Sequence, residues 1–168
     1  MKSDLDLIMQ SRNLDAFIVF GNAENNPPMY YMTGGGHVSH ATVIKKRGED
    51  AVYFYNDMER DEAAKSGLKL IPYTKYDYNE LLKKADGNQL LASAMRYQQM
   101  FEEVGVTQGR VGIYGHYDIS AVFGVLAHLQ KLMPTIEFVG EARDESIFLR
   151  AMETKDESEV ARIRKMGK

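Results

Sequence analysis

The chain has 168 residues, 44% of them hydrophobic and 27% charged, which is the size and balance of one soluble globular domain with enough apolar material for a real core. It contains no cysteine, so disulfide scaffolds, thiolate metal sites and cysteine nucleophiles are excluded. A net charge of −3 provides no general attraction to nucleic acid or to an anionic membrane. The opening Met1-Lys2-Ser3-Asp4-Leu5-Asp6 is acidic where a signal peptide would be basic and then apolar. No apolar run approaches the roughly 20 residues that cross a bilayer. The expectation is a cytoplasmic protein with neither nucleic acid nor membrane as partner.

In chain order, the first element is an amphipathic helix over Ser3–Asn13, with Leu5, Ile8 and Met9 on one face. Asn13 ends it, and the apolar run Asp15–Phe20, closed by Gly21, predicts a strand buried on both faces. Asn22–Pro28 is rich in breakers and predicts a loop, after which Met29–Thr33 leads into Gly34-Gly35-Gly36. Ala41–Lys45 and Ala51–Tyr55 predict a β-hairpin around Arg47-Gly48-Glu49-Asp50.

Asp57 is the expected N-cap of a short polar helix through Lys65, stopped by Ser66-Gly67. Leu68–Tyr73 follows as a strand, with Pro72 marking its end or a sheet edge. Helices are expected near Tyr78–Ala85 and Gln89–Val104, then a strand over Arg110–Tyr114. A helix beginning at Asp118 or Ser120 runs to Leu132, Pro134 breaks it, and Thr135–Val139 is the last strand. Strands alternating with helices predict an α/β fold, a mixed β-sheet flanked by helices, because the hairpin rules out a purely parallel sheet.

From Glu141 onward seven acidic residues face seven basic ones. Ile147-Phe148-Leu149 predicts a helix ending in Arg150-Ala151-Met152. Thr154-Lys155-Asp156-Glu157 then fits a capping box, a hydroxyl followed three residues later by Glu. Val160, Ile163 and Met166 form a narrow apolar stripe on the helix that follows. This stripe is barely two turns long at Gly167-Lys168, and the expectation is a helix that begins something larger. The competing reading is a solvated terminal helix docked on its own domain.

Three segments carry a family resemblance. Leu149–Lys165 resembles the interdomain segment of the creatinase, Xaa-Pro dipeptidase (prolidase) and Xaa-Pro aminopeptidase family. There a basic residue, a Lys, an acidic pair and an Ile-Arg-Lys ending lead into the catalytic domain. Asn25-Asn26 followed by Tyr30-Tyr31-Met32-Thr33-Gly34 resembles that family's Asn…Tyr-(Leu/Met)-Thr-Gly signature. The first helix and Leu14–Val19 resemble its start.

The resemblance implies that residues 1–150 form a creatinase/prolidase-type N-terminal domain. Residues 151–168 would begin an interdomain helix leading to a C-terminal catalytic domain. In the family that second domain holds two divalent metal ions (Mn, Co or Zn) with two Asp, one His and two Glu. The expected activity is hydrolysis of peptide bonds next to proline in a homodimer acting on proline-containing peptides, with this chain alone inactive. The family's N-terminal domain walls the active site of another subunit through the loop after the Tyr-x-Thr-Gly signature. Tyr31, Gly34, His37 and His40 are therefore the candidate substrate-proximal residues. His37 and His40 could contact a substrate carboxylate or a metal-bound water, or could simply be solvent-exposed loop residues.

The residues themselves show no compact cluster of Asp, His and Glu able to hold two ions about 3.5–4 Å apart. Gly34-Gly35-Gly36 lacks the G-x-G-x-x-G pattern of dinucleotide binding, and Ser39 and Ser120 lack a nucleophile elbow. His116 and His128 are expected to be structural. Tyr53, Phe54, Tyr55, Tyr73, Tyr76 and Tyr78 are expected to pack the sheet, without interleaved basic residues. Two other functions share the fold in the resembling family: a creatinase-like amidinohydrolase, and a non-catalytic peptide- or protein-binding module.

Overall fold

The computed structural model describes residues 4–155 and 157–167. Helix α1 (Leu5–Ser11) stops where Asn13 takes a left-handed φ of 55°, a conformation Asn tolerates better than most residues. Strand β1 (Ala16–Phe20) follows, then helix α2 (Pro27–Thr33) and the hairpin β2 (Thr42–Lys46) and β3 (Val52–Tyr55). A 3-10 turn, Asp57–Glu59, leads into helix α3 (Arg60–Ala64), strand β4 (Lys69–Pro72) and helices α4 (Tyr78–Lys84) and α5 (Gln89–Val104). The chain continues through β5 (Gly109–Gly115), α6 (Ile119–Leu132), β6 (Ile136–Val139), α7 (Ile147–Glu153) and α8 (Glu157–Met166).

The strands form a six-stranded mixed sheet in the order β4-β3-β2-β1-β5-β6. Only β2 runs against the others: β1 pairs antiparallel with β2 and parallel with β5, and β3–β4 and β5–β6 are parallel. The carboxyl ends of the other five strands therefore share one edge. Along β1 the side chains alternate as the pleat requires. Phe17 and Val19 face a core built with α1, α2, α3 and α7, while Ala16, Ile18 and Phe20 face the core under α5 and α6. A continuous apolar run is what a strand covered on both faces needs.

Phe148 of α7 locks the first core. It is 1% exposed and makes edge-to-face contacts with Phe17, Tyr31 and Tyr114 at centroid separations of 5.2, 6.2 and 5.0 Å. Around the amino ends of the central strands, Asp15 accepts from the Arg110 amide at 2.9 Å and pairs with Arg47 at 3.1 Å. Nearby, the largely buried Lys45 ammonium pairs with Asp6 at 2.9 Å.

Two expectations are corrected. The loop predicted through Pro28 ends earlier, because Pro27 and Pro28 are the first residues of α2. Proline has no N–H to lose in the first helical turn, and its φ is already helical, so it starts helices as readily as it breaks them. Second, the cap of the helical segment after β3 is Asn56, whose side chain accepts from the Met58 amide at 3.2 Å; Asp57 already lies inside the turn. Ser3 of the first expected helix and Asp156 of the expected capping box lie outside the described residues, as does the Met166 side chain. On α8, Val160 is half-buried and Ile163 is 49% exposed.

Truncating Phe148 to Ala should cost about 3–5 kcal/mol, the range for a fully buried Phe, read as a lower urea midpoint at unchanged slope. The Asp6 carboxyl provides a pH signature. Partial burial would raise its pKa, but hydrogen bonds from the Gly48 amide and Lys45, with the nearby charges of Lys45 and Arg47, hold it below the ordinary 3.8. A carboxyl depressed by folding contributes stability above its unfolded value and loses it as pH falls through the folded one. The acid limb of the stability curve should therefore become shallower in Asp6→Asn, measured by thermal melts across the acid range.

Candidate functional site

The carboxyl-end edge of the sheet holds two neighbouring clefts, and the loop between α2 and β2 contributes to both. Its geometry begins at the exit of β1. Phe20 ends the strand and its carbonyl accepts from the His116 amide at 3.2 Å and from the Asn26 side chain at 2.7 Å. Gly21 and Gly115 meet here back to back, with φ of 97° and 113°. A Cβ on Gly21 would lie 2.1 Å from the His116 carbonyl oxygen, and one on Gly115 2.2 Å from that of Phe20. Only glycine permits both the conformation and the approach.

The signature segment then reads as a set of local constraints. Tyr31 is 8% exposed, and its hydroxyl donates to the Ala151 carbonyl at 3.2 Å, tying α2 to α7. The Thr33 hydroxyl donates back to the Met29 carbonyl at 2.8 Å. Gly34 caps α2 in the left-handed conformation, φ 79°, with its amide on the Tyr30 carbonyl at 2.8 Å. The Tyr30 ring lies across Gly35, where a Cβ would sit 2.4 Å from a ring carbon.

Beyond the glycines the loop is pinned from the segment after β3. The Ser39 amide donates to Glu59 Oε1 at 2.9 Å, the His37 amide to Glu62 Oε2 at 3.4 Å, and Val38 is buried between them. The Lys65 ammonium, then the His37 amide, hold the Glu62 carboxyl below its usual range. Glu59 Oε2 is buried and has no hydrogen-bond partner among the described residues. Its charge adds to burial in pushing the Tyr53 phenol up to about 12.

Of the four candidate residues, Tyr31 packs into the core and Gly34 ends a helix, so both position the loop. His37 and His40 are exposed but are not brought together. His37 lines a cleft of 620 Å³ with Tyr30, Ser39, Glu24 and Glu59. His40 lines the neighbouring cleft of 660 Å³, whose wall carries Tyr73, Tyr76, Tyr78, Arg96 and Tyr97. His116 is exposed at the strand exit and His128 is half-buried on α6.

This second cleft revises one reading of the aromatic residues. Tyr53, Phe54 and Tyr55 do pack the sheet, but Tyr73 and Tyr78 face a basic residue. The Arg96 guanidinium lies 4.9 Å from the Tyr73 ring centroid, 5.1 Å from that of Tyr78 and 6.0 Å from that of Tyr97. Burial holds the Tyr73 and Tyr97 phenols above their ordinary value. Arg96 sits mid-helix and far from Tyr73 and Tyr78 in sequence, so only the fold brings these three together. The roles of Glu59 and Glu62 were equally hidden, since two carboxylates in a polar helix read as solvated charge.

Among the described residues, no three His, Cys, Asp or Glu side chains converge to hold a metal ion. The described residues thus do not assemble the donor set of a dimetal hydrolytic centre. Among the described residues, no helix is long and apolar enough to cross a membrane.

The family profile described as the creatinase/prolidase N-terminal domain matches residues 3–142, and the chain belongs to that family. Its fold is similar to a dipeptidase from Pyrococcus horikoshii OT3, with a TM-score of 0.57 at 14% identity over 95% of this chain and 38% of that one. It is also similar to the creatinase/prolidase N-terminal domain of an X-Pro dipeptidase from Streptococcus pyogenes, with a TM-score of 0.52 at 13% identity over 83% of this chain and 94% of that one. The chain thus spans well under half the length of the Pyrococcus protein and most of the Streptococcus domain. No curated protein matches the sequence.

The anchoring of the loop is open to direct test. In Glu59→Ala the Ser39 amide loses a charged acceptor and should exchange with solvent about tenfold faster, while amides of β1 keep their protection. Hydrogen exchange followed by NMR measures both.

Proposed function

We propose that this chain is the substrate-gating and oligomerisation domain of a metal-dependent Xaa-Pro dipeptidase or aminopeptidase. Residues 1–150 are the gating domain, and residues 151–168 begin the helix leading to a C-terminal catalytic domain. That domain holds the two divalent ions, Mn, Co or Zn, and the full protein acts in the cytoplasm as a homodimer on proline-containing peptides. Family membership over residues 3–142 is the observation that carries the reading.

The pinned 34–40 loop supports it. A gating element has to present side chains at a fixed height, and the Glu59 and Glu62 contacts to the Ser39 and His37 amides do this for an exposed His37. The ordering entropy is thereby spent in folding rather than at substrate binding. In this arrangement His37 reaches a substrate carboxylate across the dimer, and Tyr31 and Gly34 act through the loop. His40, one residue past the last pinned amide, lies at the boundary between the two clefts.

The test uses the full-length protein encoded by the gene, loaded with Mn²⁺ or Co²⁺ and assayed on Xaa-Pro dipeptides. The full protein should cleave them and the 168-residue chain should not. Replacing His37 and His40 together by Ala should raise KM by about tenfold, the loss of one charged hydrogen bond, with a smaller change in kcat. Absence of Xaa-Pro cleavage by the metal-loaded full protein would remove the peptidase reading. Unchanged KM in the double variant would remove the gating role of the loop.

A further inference from the structure

We propose that the cleft walled by Arg96 and its surrounding tyrosines is a binding site for a small organic monocarboxylate with a planar, apolar body. The observations are independent of the peptidase reading. Arg96 is half-buried, and among the described residues it has no carboxylate within ion-pair distance. The rings of Tyr73, Tyr78 and Tyr97 surround its charge instead, and the Tyr97 hydroxyl accepts a hydrogen bond from it. A guanidinium held mainly by rings keeps donors for a ligand that one paired with Asp or Glu does not.

Two polar groups on the same wall are left incomplete. The Arg96 Nε and the Tyr76 hydroxyl are buried without a hydrogen-bond partner among the described residues. Buried donors without partners are rare, because each forfeits its bonds to water. A carboxylate in the cleft would offer the acceptors that these donors lack, with the Arg96 side chain moving to bring its covered Nε–H to the ligand. Burial, with the charge of Glu103 nearby, pushes the Tyr76 phenol up to about 12, so this hydroxyl keeps its proton to donate at any ordinary pH.

The rest of the cleft sets the chemical class. Its volume of 660 Å³ suits a small molecule. Phe20, Tyr97 and Tyr117 offer ring surface for a flat apolar body. Asp57 and Asp77 also line it but are engaged elsewhere. Asp57 accepts from the Thr74 hydroxyl and pairs with Arg60 at 3.3 Å, and Asp77 caps α4 through the Glu80 amide at 3.1 Å. Their charges oppose a dianion such as phosphate more than a monoanion. The location follows the rule for open α/β sheets. The cleft lies outside the carboxyl ends of β1, β3 and β4, beside the point where β1 feeds a helix on one face of the sheet and β5 one on the other.

The experiment is an NMR titration of the 168-residue chain with benzoate and, separately, with inorganic phosphate. Benzoate should shift the amides of Gly21, Asn56, Tyr97 and Tyr117 saturably, and phosphate should bind at least about tenfold more weakly. Arg96→Gln should weaken benzoate by about tenfold or more, and Tyr76→Phe, which keeps the ring packing, by about threefold. If Arg96→Gln loses the dispersed spectrum of a folded chain, the Tyr76→Phe titration decides. Absence of saturable shifts, benzoate affinity unchanged in both variants, or phosphate binding as tightly as benzoate would each overturn the proposal. None of these outcomes depends on whether the full protein cleaves Xaa-Pro peptides.

Discussion

Strand β1 hydrogen-bonds β2 along one edge and β5 along the other, while helices cover both of its faces, so neither the backbone groups nor the side chains of Ala16–Val19 reach water. Every one of those backbone groups must find its partner within the sheet, since an unmade bond there has no solvent to fall back on. That requirement fixes the register of β2 and β5, and the register places what lies at the strand exits. The Gly21–Gly115 crossing follows from it: two parallel neighbours leave the sheet toward opposite faces at the same height, and their backbones touch where they part. Asn26 then ties the end of β1 to the start of α2, setting the origin of the loop that lines both clefts.

Much of this was legible in the amino-acid sequence, for reasons that differ by element. The continuous apolar run of β1, the Gly-containing turn of the hairpin and the long helices bounded by Asp86-Gly87-Asn88 and Pro134 carry local signals strong enough to survive tertiary context. Helix α2 was missed because Pro27 and Pro28 are ambiguous: the same two residues that end one helix can open another, and only the fold shows which. Asn56 and Asp57 can both cap, and the choice rests on backbone angles that the residue types do not encode. The signature around Tyr30–Gly34 points to the 34–40 loop, and its members divide into anchors and exposed groups only when Tyr31 is seen bonded to Ala151, on α7. The Arg96 cleft left no sequence trace, since its parts come from the end of β1, the loop before β2, the segments after β3, β4 and β5, and helices α4 and α5.

The two clefts differ in electrostatic character. On the His37 side, Glu24, Glu59 and the adjacent Glu62 bring negative charge to a loop rich in backbone amides, and two of those carboxylates are consumed in holding it. On the other side the positive charge at the wall is Arg96, and the carboxylates are engaged locally, Asp77 capping α4 and Asp57 holding Thr74 and Arg60. A single short stretch, Asp57–Glu62, supplies residues to both, so the hairpin of β2 and β3 is the shared support of the edge. Rigid strands carrying adjustable loops at their carboxyl ends are the usual division of labour in α/β domains.

Strand β4 has a further consequence. It lies at the rim of the sheet, is only four residues long, begins with an exposed lysine and ends in Pro72, which has no N–H to offer a newcomer. At the opposite rim β6 is equally short, and Glu137 engages Arg110 of the neighbouring strand at 2.9 Å. Both margins thus present poor templates for another strand. Self-association by continuing the sheet from molecule to molecule, the route to fibres and to swapped strands, is blunted at each end. Contacts between copies of this domain are left to its helices and to the loops at the strand exits.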